Sequence, residues 1–458
     1  MELMAHNGAD LSIELTQLST FRKNPNNSRV HNAKQIANLA RSIKRFGFLT
    51  PVIIDDANML LCGHARVQAA AQIGMTSVPS VRVEHLSEPE KRAFVIADNR
   101  LAECASWDEE ILKKELRFLS KIEVDFDFST IGFETADVDL LLDAPESANN
   151  DDDKLPELSA DQIPVSIQGD LWILERNRVY CGNALDRESY ETLLQSDRAQ
   201  MVFTDPPYNV PIDGHVGGLG AIKHREFAMA SGEMTDQEYT QFLVRAARQM
   251  ADFTADGSLH FISMDWRHTE MILAAGNQIY SELKNICVWN KTNSGMGSLY
   301  RSKHEFIFLF KNGRGPHINN IELGKHGRNR TNVWDYAGAN CFGKERDTLL
   351  ALHPTVKPTA LVADAIKDCS KRGDLILDPF AGSGTTVIAA EKVGRRAAVM
   401  EIDPIYVDAI VLRWQLFTGK QAICSKTGMT FAEREAKQNC SAGRVSDMSQ
   451  VPSRPETM

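Results

Sequence analysis

The sequence has no apolar run as long as the ~18–20 residues that a membrane-spanning helix requires. Met1–Asp10 lacks the basic flank and apolar centre of an export signal. Both set the expectation of a cytoplasmic protein with no membrane partner. None of the eight cysteines belongs to a Cys-x-x-Cys pair, and no His/Cys group has metal-ligand spacing. That argues against a disulfide framework or a structural zinc, and for a reducing compartment. No solenoid-type repeat is present. With 43% hydrophobic and 24% charged residues, the chain is neither collagen-like nor wholly disordered. Its 458 residues suit roughly three units at ~150 residues each.

The formal net charge of −10 is unevenly placed. Ten acids and one lysine lie between Glu134 and Asp161, so the rest of the chain is nearly neutral. The segment Lys284–Asp347 is basic, with eleven Lys/Arg against five acids. A polyanionic partner is therefore compatible with an acidic total, because the local face decides.

Composition and periodicity divide the chain into four parts. Residues 11–142 read as a small α+β domain. Asn32-x-x-Gln35 opens a helix with apolar positions at Ile36, Leu39, Ala40, Ile43 and Phe46, stopped by Gly47. Asp55–Asn58 sits between two apolar runs as a hairpin turn. Ala65–Ile73 reads as a second helix, and Ser87-x-x-Glu90 and Ser106-x-x-Glu109 as two capping-box starts. Residues 143–164 are acidic and poor in apolar residues, the composition of a solvated linker. Residues 165–419 alternate strand-like runs with helical segments. The runs are Met201–Phe203, Leu259–Ile262, Ile286–Trp289, Phe306–Phe310, Leu375–Leu377 and Ala397–Met400, a layered α/β pattern. Residues 420–458 are polar and aperiodic, and are expected to be a disordered tail.

Two motifs carry chemistry. Thr204-Asp205-Pro206-Pro207-Tyr208-Asn209 ends one strand. Two successive prolines stiffen the turn and remove N–H donors, leaving free carbonyls beside a fixed acid. Asp205 and a proline carbonyl can accept both hydrogens of a planar amino group while Tyr208 stacks on its ring. The second motif is Asp378-Pro379-Phe380-Ala381-Gly382-Ser383-Gly384-Thr385-Thr386, in which a strand enters a glycine turn and then a helix. Glycine lets backbone approach a ligand closely, and the helix start favours a negative group. Glu401 ends the following strand, near the ~20-residue offset of a ribose-binding acid.

Together these blocks resemble the beta class of amino-group DNA methyltransferases, which use S-adenosyl-L-methionine and carry the catalytic motif before the cofactor motif. Further blocks agree: Gly169-Asp170-Leu171-Trp172 leading to Gly182-Asn183, Tyr300-Arg301-x-x-His304-Glu305, and His353-Pro354-Thr355-Val356-Lys357-Pro358. Asn183 departs from the family's usual acid next to the cofactor adenine, which implies altered affinity rather than loss. The resemblance implies an α/β, Rossmann-like sheet, mostly parallel with an antiparallel hairpin strand. It places both motifs at the carboxyl ends of neighbouring strands. It assigns Asp205, Pro206, Pro207 and Tyr208 to catalysis. Asp378, Phe380, Gly382, Ser383, Gly384 and Thr385 are assigned to the methionine part of the cofactor, and Glu401 to its ribose. Asn183 is assigned to adenine, and Lys357 to the cofactor carboxylate. A flipped base would attack the sulfonium methyl directly, so Cys181, Cys287 and Cys341 are read as packing residues. The target is adenine N6, with cytosine N4 as the alternative, because Asp at the first motif position is commoner in the adenine enzymes.

Sequence recognition is expected in residues 311–347, with Arg314, Lys325, Arg328, Arg330, Lys344 and Arg346 beside Trp334 and Tyr336. Arg301, His304, Arg314, Arg328 and Arg330 are the DNA-binding candidates. The Gly-rich segment Val210–Gly232 reads either as a loop closing over the flipped base or as a plain mobile loop.

The N-terminal part resembles the ParB-type domain of chromosome-partition proteins, through Phe46–Phe48, Cys62–Ala70 and Ala97–Leu101. That implies a nucleotide (CTP or ATP, with magnesium) at Gly63, His64 and Arg66. Gly63 stands where the related sulfiredoxins have their catalytic cysteine, so redox chemistry is not expected. The chain thus reads as a site-specific DNA methyltransferase acting on double-stranded DNA in a cytoplasmic, nucleoid-associated setting, with a homodimer as the assembly to test. A reading from another class is a nucleotide-gated DNA-binding protein whose methyltransferase part is degenerate.

Overall fold

The computed structural model describes residues 11–122, 126–142, 150–153, 156, 163–210, 230–292, 294, 299–323, 330–338 and 356–448. They belong to two compact units, Met1–Ala144 and Pro145–Met458. Among them no helix is long and apolar enough to cross a membrane.

The first unit is α+β. Strands β1 (Ile13–Gln17), β2 (Val52–Asp55), β3 (Leu60–Cys62) and β4 (Ser77–Val83) form one sheet in the order β1-β4-β2-β3. The β2–β3 turn closes on Asp55, whose Oδ1 accepts the N–H groups of Ala57 and Met59 at 2.9 and 2.7 Å. The helix Ala33–Phe46 starts where the Asn32 side chain accepts the Gln35 N–H, and stops at Gly47, φ +85°. Ser87 and Glu90 form the expected capping box of the helix Glu88–Glu103. The helix Glu109–Ile122 is different: Asp108, not Ser106, caps it by accepting the Glu110 and Ile111 N–H groups at 3.1 Å. The sheet packs through Val52, Ile54, Leu60, Ala70 and Val78. A separate apolar cluster of Leu116, Phe126, Phe128 and Val138 joins Glu109–Ile122 to the helix Thr135–Leu142.

The second unit is built on one ten-stranded sheet. In chain order its strands are β5 (Leu171–Leu174), β6 (Asn177–Cys181), β7 (Ala199–Thr204), β8 (Thr254–Met264) and β9 (Glu282–Asn290). They continue with β10 (His304–Lys311), β11 (Val333–Asp335), β12 (Leu375–Asp378), β13 (Arg396–Glu401) and β14 (Ile423–Cys424). The spatial order is β11-β9-β10-β8-β7-β12-β13-β6-β5-β14. The centre, β8-β7-β12-β13-β6, is parallel throughout. These strands are nearly continuous apolar runs because both faces are covered. One face packs on helices Thr359–Cys369, Thr385–Lys392 and Pro404–Thr418, the other on Arg187–Leu194, Asp236–Asp252 and Thr269–Ile279. Strand β10 runs antiparallel between β8 and β9. Its first residues therefore arrive at the same end of the sheet as the last residues of β7, β9 and β12.

Two sequence expectations change. The C-terminal segment is ordered through Met448: β14 pairs with β5, and the helix Phe431–Met448 follows. Phe431 is 2% exposed and lies 5.5 Å from the Trp172 ring, while Arg434 meets Asp170 at 2.7 Å. The disordered-tail reading failed because one buried aromatic and one ion pair dock this helix, and neither leaves a periodic stripe. Within the acidic linker, Asn150–Asp153 forms a 3₁₀ turn. Asp153 accepts the Thr359 N–H at 3.0 Å, and Asp152 pairs with Lys392.

Candidate active site

At the end of β7 the chain turns through Asp205-Pro206-Pro207-Tyr208. Tyr239 donates its hydroxyl to the Pro207 carbonyl at 2.8 Å. The Pro206 carbonyl takes no hydrogen bond among the described residues, so it is the proline carbonyl left for a ligand. Asn209, at φ +54°, accepts the Gly232 and Met234 N–H groups at 3.1 and 3.2 Å and donates to the Met234 carbonyl at 2.7 Å. It thereby joins the two ends of the expected closing loop, whose residues 211–229 lie outside the described residues.

Asp205 is not isolated. Its Oδ2 meets the Lys357 ammonium at 2.5 Å, and its Oδ1 accepts the Tyr208 hydroxyl. Lys357 also reaches Glu305 Oε2 at 3.0 Å, and Glu305 pairs with Lys291. The Lys357 and Lys291 ammonium groups lie 5.7 and 4.6 Å from the centre of the Trp289 ring. Two carboxylates and two ammonium groups are thus gathered around one tyrosine. Burial pushes the Asp205 carboxyl up; Lys357 opposes this and Glu305 reinforces it. Burial acts the same way on Glu305, but Lys357 and Lys291 outweigh it and hold that group at about 2.

The sequence reading assigned Lys357 to a cofactor carboxylate. The structure instead buries its ammonium between Asp205 and Glu305. Glu305 and Lys291 had no assigned role. Glu305 stood within a quoted motif, and its charge inside an apolar strand was the available signal. Lys291 left none.

The glycine turn lies at the end of β12, next to β7. Asp378 is consumed within the protein: Oδ1 accepts the Thr204 hydroxyl at 2.8 Å and the Phe380 N–H at 3.2 Å, and Oδ2 accepts the Thr386 hydroxyl at 2.6 Å. Burial raises its pKa to about 6. Ser383 and Thr385 are buried and face the Arg413 guanidinium, which donates to the Ser383 carbonyl at 3.0 Å and to Thr385 Oγ1 at 3.2 Å. These three residues shape the turn from behind, while Phe380 and Gly382 are half-exposed on it. Gly384 begins the helix Thr385–Lys392 at φ +78°, where a Cβ would sit 2.9 Å from Ile410. On β13, Glu401 accepts the Gly382 N–H at 2.9 Å and the Asp403 N–H at 3.0 Å. Burial lifts its pKa to about 7. Asn183 follows β6, whose Cys181 is in register with Glu401, and its Oδ1 accepts the Leu185 N–H at 3.0 Å.

Of the DNA-contact candidates, Arg301 and His304 lie at the end of the sheet where Asp205 follows β7. Two others need correction. Arg314 follows the opposite end of β10, where Lys311 pairs with Leu259, and its N–H is bound by Asp256 at 2.7 Å. Arg330 is an internal strut: it meets Asp368 at 2.7 Å and Asp364 at 3.3 Å and stacks on Trp334 at 4.9 Å. A basic segment can serve packing as readily as phosphate binding, and charge counting cannot separate the two. Lys325, Arg328, Cys341, Lys344, Arg346 and His353–Thr355 lie outside the described residues. In the first unit, Gly63 (φ +99°) precedes the helix His64–Gln72. His64 Nε2 has no partner among the described residues, while Arg66 donates to the Thr50 carbonyl at 2.8 Å and to Cys62 Sγ at 3.3 Å.

The parallel centre of the sheet, with an acid-proline turn and a glycine turn on adjacent strands and a half-buried acid on the next, forms a Rossmann-like α/β crevice at the carboxyl ends of its strands. Residues 199–412 match the DNA methylase family, residues 2–100 the ParB N-terminal domain, and residues 110–167 the ParB-methyltransferase HTH domain. The chain is 27% identical over 237 residues to the Type II methyltransferase M2.DpnII of Streptococcus pneumoniae, covering 48% of this chain and 84% of that protein. It is 25% identical over 250 residues to the Type II methyltransferase M2.MboI of Moraxella bovis, covering 52% and 88%. A solved putative DNA modification methylase from Thermus thermophilus, complexed with S-adenosyl-L-methionine, is 22% identical with a TM-score of 0.37, covering 56% of this chain and 96% of that one. Residues 199–412 are thus similar to DNA methylases, and residues 2–100 to ParB N-terminal domains. The helix-turn-helix assignment of residues 110–167 went unread in the sequence, where its helices were taken only as parts of the α+β domain.

Proposed function

We propose that the protein transfers a methyl group from S-adenosyl-L-methionine to the exocyclic N6 of a flipped adenine in double-stranded DNA. The observation that carries this reading is the turn after β7, where the Asp205 carboxylate and the unengaged Pro206 carbonyl stand beside Tyr208. An exocyclic amine is a poor nucleophile because its lone pair is delocalised into the ring. Two acceptors on its hydrogens draw it toward tetrahedral geometry, and an aromatic face holds the flipped ring. The remaining rate enhancement comes from positioning and fixed charge.

The second motif suits the cofactor. Glu401 is a half-buried carboxylate with only backbone partners among the hydrogen bonds described, which fits a pair of donating hydroxyls such as those of a ribose. Phe380 and Gly382 border the space above it. Asn183 lies beside the Glu401 strand end, where its amide can meet the adenine. When bound, the cofactor supplies an electrophilic methyl. The new bond is N–CH3, the broken one is C–S, and the amine's surplus proton leaves toward Asp205. Arg301 and His304 are the described residues best placed to meet DNA, at the mouth of the same end. The HTH-type segment offers a second DNA contact. Binding to DNA would keep the protein with the nucleoid. For the first unit we propose a nucleotide at Gly63 and His64, supported by the helix start and the unpartnered His64 Nε2; titration with CTP or ATP and magnesium tests it.

The decisive experiment is methyl transfer to unmethylated DNA, followed by nucleoside mass spectrometry beside Asp205→Ala. N6-methyladenine that disappears in the variant supports the reading. N4-methylcytosine overturns the choice of base, and no methylated base overturns the function.

A further inference from the structure

The catalytic turn holds more charge than the chemistry of one acceptor needs. Four ionisable groups converge from four separate elements. Asp205 follows β7, Lys291 follows β9, Glu305 lies in β10, and Lys357 precedes the helix Thr359–Cys369. Tyr208 lies among them, with its hydroxyl on Asp205 and 3.4 Å from Glu305 Oε2. Two acids stand slightly further off. Asp378 on β12 acts on Asp205 by charge, and Asp265 after β8 acts on Tyr208. Lys357 is only 6% exposed and touches both acids of the cluster, at 2.5 Å from Asp205 and 3.0 Å from Glu305. The ammonium is therefore shared.

We propose that Lys357 and Glu305 are positioning residues for Asp205, a reading that rests on the methyl transfer proposed above. Lys357 anchors Oδ2, which fixes the plane of the carboxylate. Oδ1 takes the Tyr208 hydroxyl and keeps a second lone-pair direction for an amino hydrogen. Glu305 divides the ammonium between two carboxylates, so Asp205 is anchored without becoming the private counter-ion of a lysine. Lys291 offsets the charge of Glu305, and the group as a whole is neutral. This balance suits the reaction. Asp205 must be ionised to accept from the amine, yet basic enough to take the proton released once the N–CH3 bond has formed and the C–S bond has broken. A lone lysine would secure the first condition at the expense of the second.

The two partners pull on Asp205 in opposite directions, and that separates the proposal from a merely structural role. Lys357→Met removes the cation, so the acidic limb of the rate profile moves to higher pH. Glu305→Gln leaves Lys357 wholly to Asp205, so the limb moves to lower pH. Each shift should be about one unit. The measurement is single-turnover methyl transfer to unmethylated plasmid DNA from pH 5.5 to 9, using the full chain. Cofactor binding by calorimetry and thermal melting of each variant run alongside. Expected are rates lowered about 10–100-fold, limbs displaced in opposite directions, cofactor affinity close to wild type, and partial recovery in Lys357→Arg. Limbs that stay in place, limbs that move the same way, or losses that track cofactor affinity would overturn the positioning role. A wild-type protein that binds cofactor but methylates no DNA would overturn the functional reading itself, and this proposal with it.

Discussion

Asp378 and Glu401 sit one strand apart at the same end of the sheet, and their surroundings give them different work. The two oxygens of Asp378 accept from two hydroxyls and one N–H, so it serves the turn. Glu401 has backbone N–H partners, and burial raises it to about 7. On the proposed reading, a ribose hydroxyl would donate to the ionised form. Cofactor affinity should therefore be full above pH ~7 and fall toward tenfold per unit below it. Calorimetric titration between pH 8 and 5.5 checks this, and Glu401→Gln should bind more weakly with a flatter profile. His260 gives a second residue-scale prediction. It is fully buried between Thr254, Ser258 and Tyr280, and burial depresses its pKa to about 3. In the unfolded chain the same group titrates near 6.5, so the folded state binds fewer protons. Its stabilisation is complete above pH ~6.5 and is lost as pH falls from there toward 3, by at most about 1.4 kcal/mol per unit. Melting curves of wild type and His260→Gln over pH 7 to 4 should diverge, with the wild type falling more steeply. Both functional motifs were legible in the sequence because each is a contiguous run whose residue types state their chemistry. The charge cluster was not, because residues 205, 291, 305 and 357 meet only once the sheet has formed, and a lysine carries no local mark of burial.

Most strands were legible from their apolar runs, including the six that make up most of the parallel centre and the β9–β10 pair. In this sheet β5, β6, β11 and β14 escaped notice; β11 and β14 are two or three residues long and lie on its two edges. The helix Phe431–Met448 escaped for a related reason: its docking rests on a few side chains. Thr430 and Glu433 cap it, with the Thr430 N–H and hydroxyl donating to Glu433 at 2.8 and 2.9 Å. Phe431 then fills the space against Trp172, which is wholly buried. Replacing a buried phenylalanine by alanine costs about 3 kcal/mol or more. Phe431→Ala should accordingly lower the unfolding midpoint of the second unit in chemical denaturation. An unchanged midpoint would mean that the helix contributes nothing to the sheet. The antiparallel direction of β10 matters more for function, since it delivers His304 and Glu305 to the catalytic end while sending Arg314 to the far one.

The two units have separate cores, so each is expected to unfold in its own transition. Arg413 bears on how the second unit is held together. It is 2% exposed and donates to the Ser383 carbonyl, Thr385, Thr359 and the Asp152 carbonyl at 3.0 to 3.3 Å. Removing a buried charge with this many partners leaves them unsatisfied, at a cost of about 3 kcal/mol. Arg413→Met should lower the second melting transition and leave the first in place, as differential scanning calorimetry would show. Asp152 is fastened to Lys392 in the helix that begins at the glycine turn, and Asp153 to the start of the helix Thr359–Cys369. Tension applied to the chain upstream is therefore borne first at Arg413, Thr359 and Lys392. It reaches the helix that begins at the glycine turn before it reaches β5.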